Sequence, residues 1–304
     1  MSGKTIVSAA LLAALSAPAL ALDNIELFQE ARPSLVQLAG VGSGGRLYLG
    51  SGVAVSDGTV VTNCHVTQRA RKVQFLGGSY GQQATRQASD VSHDLCVLHF
   101  QSMGLRPAAI GSSRKLKVGD TVLALGFNAG AALSYQRGQV AELFEHDGAM
   151  VIRTTAAFTH GASGGGLFDQ DGKLVGILTF YRVAPGGTSY FAVPVEWLEA
   201  VQRAPGGDIE PLTGVPFWAD NLERQPSFLQ AGALEGDGRW AELAVFAKQW
   251  TDDNPEDGQA WMALGKAKLY LGDRGTAEAA FKRAIDLGIT YPANLWAPEG
   301  GAGQ

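Results

Sequence analysis

The sequence predicts a mainly β chain that ends in a small all-α domain, and three observations carry that expectation. Short runs rich in β-branched residues recur from residue 34 onward, separated by glycine or polar turns. No helical crossover of the kind parallel strands need interrupts them, so the strands are expected to be antiparallel, in a sandwich or a pair of barrels. Glycine and tryptophan are unevenly spread: 25 of the 40 glycines lie among residues 22 to 203, whereas five of the six tryptophans lie beyond residue 205, where the apolar spacing becomes helical.

The elements follow in order. A basic start at Lys4, an apolar run from Ile6 to Leu20 and the small-x-small triplet Ala19-Leu20-Ala21 mark residues 1–21 as a signal peptide, so the chain is expected to be exported, periplasmic or secreted, with no membrane span after cleavage. About ten strands are then expected: 34–39, 47–55, 59–62, 72–76, 95–100, 121–125, 139–144, 150–155, 173–180 and 190–193. Turn signals such as Ser56-Asp57-Gly58, Asp147-Gly148 and Asp171-Gly172 separate some of them. A short helix over 195–203 closes this domain, 22–203, and the Pro- and Gly-rich stretch 204–219 reads as a linker.

Beyond it, 220–290 reads as a helical domain and 291–304 as a tail. Ala260-Trp261-Met262-Ala263-Leu264-Gly265, followed by Ala277, Phe281 and Ala284, places large and small residues where paired helices interlock, and resembles a tetratricopeptide repeat. An echo at Gly236 to Glu242 suggests two repeats, with helices near 220–234, 239–252, 257–271 and 274–287. Such a module is a candidate surface for a protein partner or a substrate.

Of the 304 residues, 46% are hydrophobic and 17% charged, a balance that buries a core and excludes disorder. The net charge of −5 argues against a nucleic-acid partner.

The chemistry centres on three segments. Gly161-Ala162-Ser163-Gly164-Gly165-Gly166 puts a serine in a turn where glycine lets backbone N–H groups converge beside its hydroxyl. Thr62-Asn63-Cys64-His65 brings a histidine to the end of a strand, and Asp94 opens another. A serine hydroxyl needs a base to take its proton, and the base needs a buried carboxylate to fix its tautomer. His65, Asp94 and Ser163 are therefore the candidate triad, with the amides of Gly161 and Ser163 as the oxyanion hole.

With these segments go Ser51-Gly52-Val53, Asp94-Leu95-Cys96-Val97-Leu98, Leu116-Lys117-Val118-Gly119-Asp120, Gly138-Gln139-Val140 and Phe191-Ala192-Val193-Pro194. Together, over residues 34–203, they resemble the protease domain of the trypsin-like superfamily, and within it the periplasmic high-temperature-requirement serine proteases. The resemblance implies a double antiparallel β-barrel of the chymotrypsin type with the triad between the barrels, and a serine endopeptidase acting on exported or misfolded polypeptides without a cofactor or metal. Ala162 and Gly166 stand where relatives commonly carry asparagine and proline, which is expected to loosen the loop and motivates an alternative: a latent or silent protease-fold adaptor.

By the same resemblance, Ala157, Phe158, His160, Leu178, Thr179, Phe180, Ser189 and Phe191 line the substrate pocket. No carboxylate is among them, so small to medium apolar side chains are expected there rather than Lys or Arg. Thr179 is a candidate partner for Asp94. Cys64 and Cys96 come close if His65 meets Asp94, which leaves open a disulfide or two separate buried thiols. A zinc site from Cys64, His65, His93 and Cys96 is disfavoured, because neighbours on a strand point to opposite faces. His99 and His146 read as a strand-edge and a turn residue.

Overall fold

The structure is a computed structural model that describes residues 24–77, 82–102, 104–128 and 132–290. The expected signal peptide and tail lie outside the described residues. A first helix, α1 (Asn24–Ala31), buries Leu27 and Ala31 against the β core. Seven antiparallel strands follow: β1 (Leu35–Val41), β2 (Leu47–Ser56), β3 (Thr59–Thr62), β4 (Lys72–Phe75), β5 (Gln82–Gln83), β6 (Arg86–Asp90) and β7 (Leu95–His99). They form one sheet in the order β5-β4-β1-β2-β3-β7-β6. Between β3 and β4 the chain makes a single helical turn, α2 (Cys64–Thr67).

The second unit closes completely. Strands β8 (Thr121–Asn128), β9 (Ala132–His146), β10 (Ala149–Thr154), β11 (Gly166–Asp169), β12 (Leu174–Ala184) and β13 (Gly187–Pro194) form a six-stranded barrel in the order β10-β13-β12-β11-β8-β9. The expected double barrel is thus a closed barrel beside an open, curled half-barrel. On the open edge, Gln87 of β6 exchanges two backbone hydrogen bonds with Gly207 rather than with another strand. Helix α3 (Leu198–Arg203) ends the β-rich part after a 3-10 turn at Val195–Trp197.

Residues 204–219 carry no regular element, yet they are strapped to the first sheet. Arg86 donates to the Gly206 carbonyl, Leu212 N–H donates to Gln68 O at 2.8 Å, and Phe217 N–H donates to Ser92 O at 2.9 Å. Four helices follow: α4 (Ser227–Gly236), α5 (Trp240–Asp253), α6 (Gly258–Tyr270) and α7 (Arg274–Asp286). The first is shorter than expected because Pro226 stands just before it, and a proline ring disfavours helical backbone in the residue ahead of it. Asp257 and Asp273 cap α6 and α7 by accepting from Gln259 N–H and Thr276 N–H. Gly265 lies against the Phe281 ring, where a Cβ would stand 2.5 Å from ring carbons, so glycine sets how closely α6 and α7 approach. Among the described residues, no helix is long and apolar enough to cross a membrane.

The two β-units are latched by charge as well as by apolar packing. His93, just before β7, donates from Nδ1 to Asp90 Oδ2 at 2.6 Å and from Nε2 to Asp147 Oδ2, in the β9–β10 turn, at 3.0 Å. Its ring stacks on Trp197 at 4.0 Å. Burial disfavours the imidazolium, but the two carboxylates outweigh it and push the His93 pKa up. Burial likewise opposes ionisation of Asp90, yet hydrogen bonds from His93 and Ser92 bring it down to about 2.

Because His93 is raised in the fold, its contribution to stability is complete below the ordinary histidine value of about 6.5 and fades as pH rises through the raised one. His93→Gln is therefore expected to lower the urea midpoint clearly at pH 6 and much less at pH 9. An equal loss at both pH values would show that the pairing contributes nothing. The Asp90 contribution has the opposite sign: it is present above about 3.9 and is lost as pH falls toward 2.

Candidate active site

The site is built from the ends of strands on both units. β3 ends at Thr62, Asn63 stands in extended backbone, and α2 turns His65 back toward Asp94. Cys64 and His65 are consecutive residues of a helical turn rather than of a strand, which corrects the expected geometry. Asp94 sits at the start of β7 with φ of 58°, a left-handed conformation that aspartate tolerates better than most residues. That conformation and the Asn63 Nδ2–H bond to Asp94 O at 3.0 Å aim the carboxylate at His65. His65 then takes both oxygens: its backbone N–H donates to Oδ1 at 2.8 Å and its Nδ1–H donates to Oδ2 at 2.6 Å. Asp94 is 1% exposed, so its carboxylate oxygens take their hydrogen bonds from these donors rather than from solvent. The bond fixes the Nδ1–H tautomer and leaves Nε2 with a free lone pair.

Ser163 reaches the same place from the loop before β11. Ala162 N–H donates to Thr159 O at 3.0 Å, closing a four-residue turn whose third member, Gly161, has φ of 92°. Positive φ at that position defines a type II turn, which turns the peptide between His160 and Gly161 over relative to a type I turn. The amides of Gly161 and Ser163 make no internal hydrogen bond among the described residues. Gly164 has φ of 84°, and a Cβ there would stand 2.1 Å from Ser51 O, so the residue after the serine must be glycine.

The loop is pinned, not loose, despite Ala162 and Gly166. Gly164 N–H donates to Leu178 O, Leu178 N–H donates to Gly165 O, and Ser51 N–H donates to Ser163 O, at 2.8 to 2.9 Å. Ala162 is fully buried, and Gly166 is a strand residue whose Cβ would strike the Phe168 ring at 2.4 Å. Ser51, on β2, spans the two units: its hydroxyl donates to Gly161 O and accepts from Phe127 N–H, both at 2.8 Å. The Ser163 hydroxyl donates to Thr179 O at 3.4 Å, and no hydrogen bond joins it to His65 Nε2 among the described residues. Such bonds are commonly loose before substrate binds.

The expected pocket residues divide between two clusters. Phe158 and Leu178 pack in the interior of the closed barrel, with Tyr181 and Tyr190 at its edge. Phe180 and Phe191 pack in the other cluster, stacked on each other at 4.6 Å and facing the helical part. The cause is a bulge in β12: Leu178 pairs with Ala192 but Phe180 with Phe191, so Thr179 is the extra residue and the side-chain alternation flips after it. His160 is exposed, with its Nε2 at 2.9 Å from the Tyr181 hydroxyl, while Ala157 and Ser189 are half-buried.

Thr179 does not bond Asp94 either. Its hydroxyl donates to Ile177 O at 2.7 Å and accepts from Asn63 Nδ2–H at 3.1 Å. The place expected of it is taken by Trp218, whose indole Nε1–H donates to Asp94 Oδ2 at 3.0 Å. No local signal pointed to Trp218, because it lies in the stretch read as a linker. Cys64 and Cys96 form a disulfide with a Cα–Cα separation of 4.9 Å, and no cluster able to hold a metal is found among the described residues. A cleft of about 1280 Å³ lies between β9, β10, β12 and β13 and the helices, and its lining does not include His65, Asp94 or Ser163.

Comparison with known proteins agrees with this geometry. Residues 50–177 match the model of the trypsin-like peptidase domain. The periplasmic pH-dependent serine endoprotease DegQ of Escherichia coli is 37% identical over 158 residues, 48% of this chain and 34% of that protein. A probable periplasmic serine endoprotease, DegP-like, of Buchnera aphidicola is 33% identical over 159 residues, again 48% and 34%. The chain thus spans about a third of the length of these relatives. Among solved structures, the HtrA-type protease AlgW with tripeptide superposes with a TM-score of 0.51 at 28% identity, covering 58% of this chain and 61% of that one. The serine endoprotease from Yersinia pestis does so with 0.53 at 28%, covering 60% and 66%. The β-rich part of the chain therefore has a chymotrypsin-like fold, and is similar in sequence and structure to the DegP-like and HtrA-type endoproteases.

Proposed function

We propose that this chain is a periplasmic serine endopeptidase in which Ser163 is the nucleophile, His65 the general base and Asp94 its orienting carboxylate. The observation that carries the reading is the 2.6 Å bond from His65 Nδ1–H to the buried Asp94 carboxylate. His65 Nε2 takes the Ser163 proton as Oγ attacks the peptide carbonyl, and the carbonyl oxygen becomes an oxyanion. The unpaired amides of Gly161 and Ser163 receive that oxyanion. His65 returns the proton to the leaving amine, and a water activated by the same imidazole releases the acyl group from Ser163.

The substrates we propose are unfolded or exported polypeptides, cleaved after small or medium apolar residues. The apolar cluster of Phe158 and Leu178, with Tyr181 and Tyr190 packed against it, supports this preference. His160, already facing the Tyr181 hydroxyl, is not reserved for an acidic one. The names of the relatives support the periplasmic location. The helices are read as a repeat module that binds a partner or substrate; their Gln259 and Lys266 face the barrel, which leaves the opposite face for that role.

The absent Ser163–His65 hydrogen bond favours a second reading, a latent protease fold used as an adaptor. The two separate on a reduced, carboxymethylated protein as substrate. The peptidase reading expects cleavage that Ser163→Ala abolishes; an adaptor binds that substrate and leaves it whole.

A further inference from the structure

Asp94 takes three donors, and the third comes from outside the peptidase fold. His65 supplies two; the remaining one on Oδ2 is the indole Nε1–H of Trp218 at 3.0 Å. Trp218 is held there on three sides. Its ring stacks on Phe180 at 4.9 Å with planes 8° apart, and meets the His65 ring edge-on at 5.7 Å. Its carbonyl accepts from Arg182 and from Gln225 Nε2–H, and Arg182 also binds Gln225 Oε1 and the Leu229 carbonyl of α4. Immediately upstream, Phe217 N–H bonds Ser92 O, two residues before Asp94. Barrel and strap therefore hold Trp218 in place, and Arg182 ties it to the first C-terminal helix.

Within the barrel no substitute is in place. Thr179, the hydroxyl expected there, spends its proton on Ile177 O, and Asn63 Nδ2 is shared between Asp94 O and Thr179 Oγ1. A buried carboxylate oxygen that accepts only from an imidazole is less well oriented and holds more of its charge toward the ring. We infer that Trp218 is a positioning residue of the triad, and that the strap 204–219 makes the peptidase fold dependent on the segment that follows it. This rests on the serine-peptidase reading above.

The test compares the full-length chain with Trp218→Phe, which keeps an aromatic ring on Phe180 and removes the N–H. A small fluorophosphonate probe reports on Ser163 without depending on extended substrate contacts. Loss of one charge-assisted hydrogen bond is expected to slow labelling by about tenfold or more at neutral pH. With the donor gone, Asp94 stabilises the imidazolium more strongly, so the acidic limb of the rate profile should move to higher pH. The melting temperature should change little.

An unchanged rate and pH limb, with the wild type labelled, overturns the role of Trp218 and leaves the peptidase reading standing. Faster labelling overturns it too, since the indole would then be shielding the site. A wild type that does not label at all sinks the peptidase reading instead. Should Trp218→Phe not fold, the wild-type indole N–H signal serves: identified by its displacement in Asp94→Asn, it is expected to follow the acidic limb of labelling, and an invariant signal contradicts the contact.

Discussion

Replacing Asp94 by asparagine is expected to lower kcat for peptide hydrolysis by about four orders of magnitude while leaving the fold intact, the loss typical of this change in a serine triad. The geometry gives the reason. Oδ2 accepts both His65 Nδ1–H and Trp218 Nε1–H, and Oδ1 accepts the His65 backbone N–H. An amide in this place can present only one oxygen, so its NH₂ must face either the His65 amide, where two donors clash, or the imidazole. In the second case it stabilises the tautomer with a proton on Nε2, and that nitrogen can no longer take the Ser163 proton. Steady-state cleavage of a peptide substrate measures the effect. A residual rate within tenfold of wild type would mean that Asp94 does not orient the base.

The second large effect concerns how the helices are fixed to the barrel. Lys266 of α6 is mostly buried and pairs with Glu142 of β9 at 2.7 Å and with Glu235 of α4 at 3.1 Å. Burial opposes its charge, but the two carboxylates more than compensate and hold its pKa above the ordinary lysine range. Glu142 is in turn held below the usual carboxylate range, against its own burial, by Lys266 and Arg153. Lys266→Met removes the shared cation and leaves Glu142 with Arg153 alone. Breaking a buried pair from one side costs about 3–5 kcal/mol, and the remaining arginine brings the expected loss here to about 2–3 kcal/mol. Denaturant unfolding measures it. A loss below about 0.5 kcal/mol, the scale of a surface pair, would show that the network is solvated.

How much was legible in the sequence follows from how local each signal is. The chain order His65, Asp94, Ser163 and the glycines around the serine could be read directly, because each segment carries its own turn or strand chemistry. The helices at Trp240–Asp253, Gly258–Tyr270 and Arg274–Asp286 lie within a residue or two of their expected bounds, since a long apolar period is a strong signal. The short strands β5, β6 and β11 are not among the expected ones, because runs of two to five residues are too short to show a period.

Two failures bear on the site itself. The bulge at Thr179 shifts the pairing by one residue and sends Phe180 to the far face, which no reading of residue types could show. Pro205-Gly206-Gly207 and Pro216 describe a stretch without regular structure correctly. They are silent on whether it hangs free or, as here, carries Trp218 to Asp94.

The most direct test of the account is to treat the full-length chain with a fluorophosphonate probe, digest it, and locate the adduct by mass spectrometry. The account predicts one adduct, on Ser163, that forms in the folded chain, does not form when the chain is denatured before the probe is added, and is absent from Ser163→Ala. An adduct on another residue, or labelling that survives in Ser163→Ala, would contradict it.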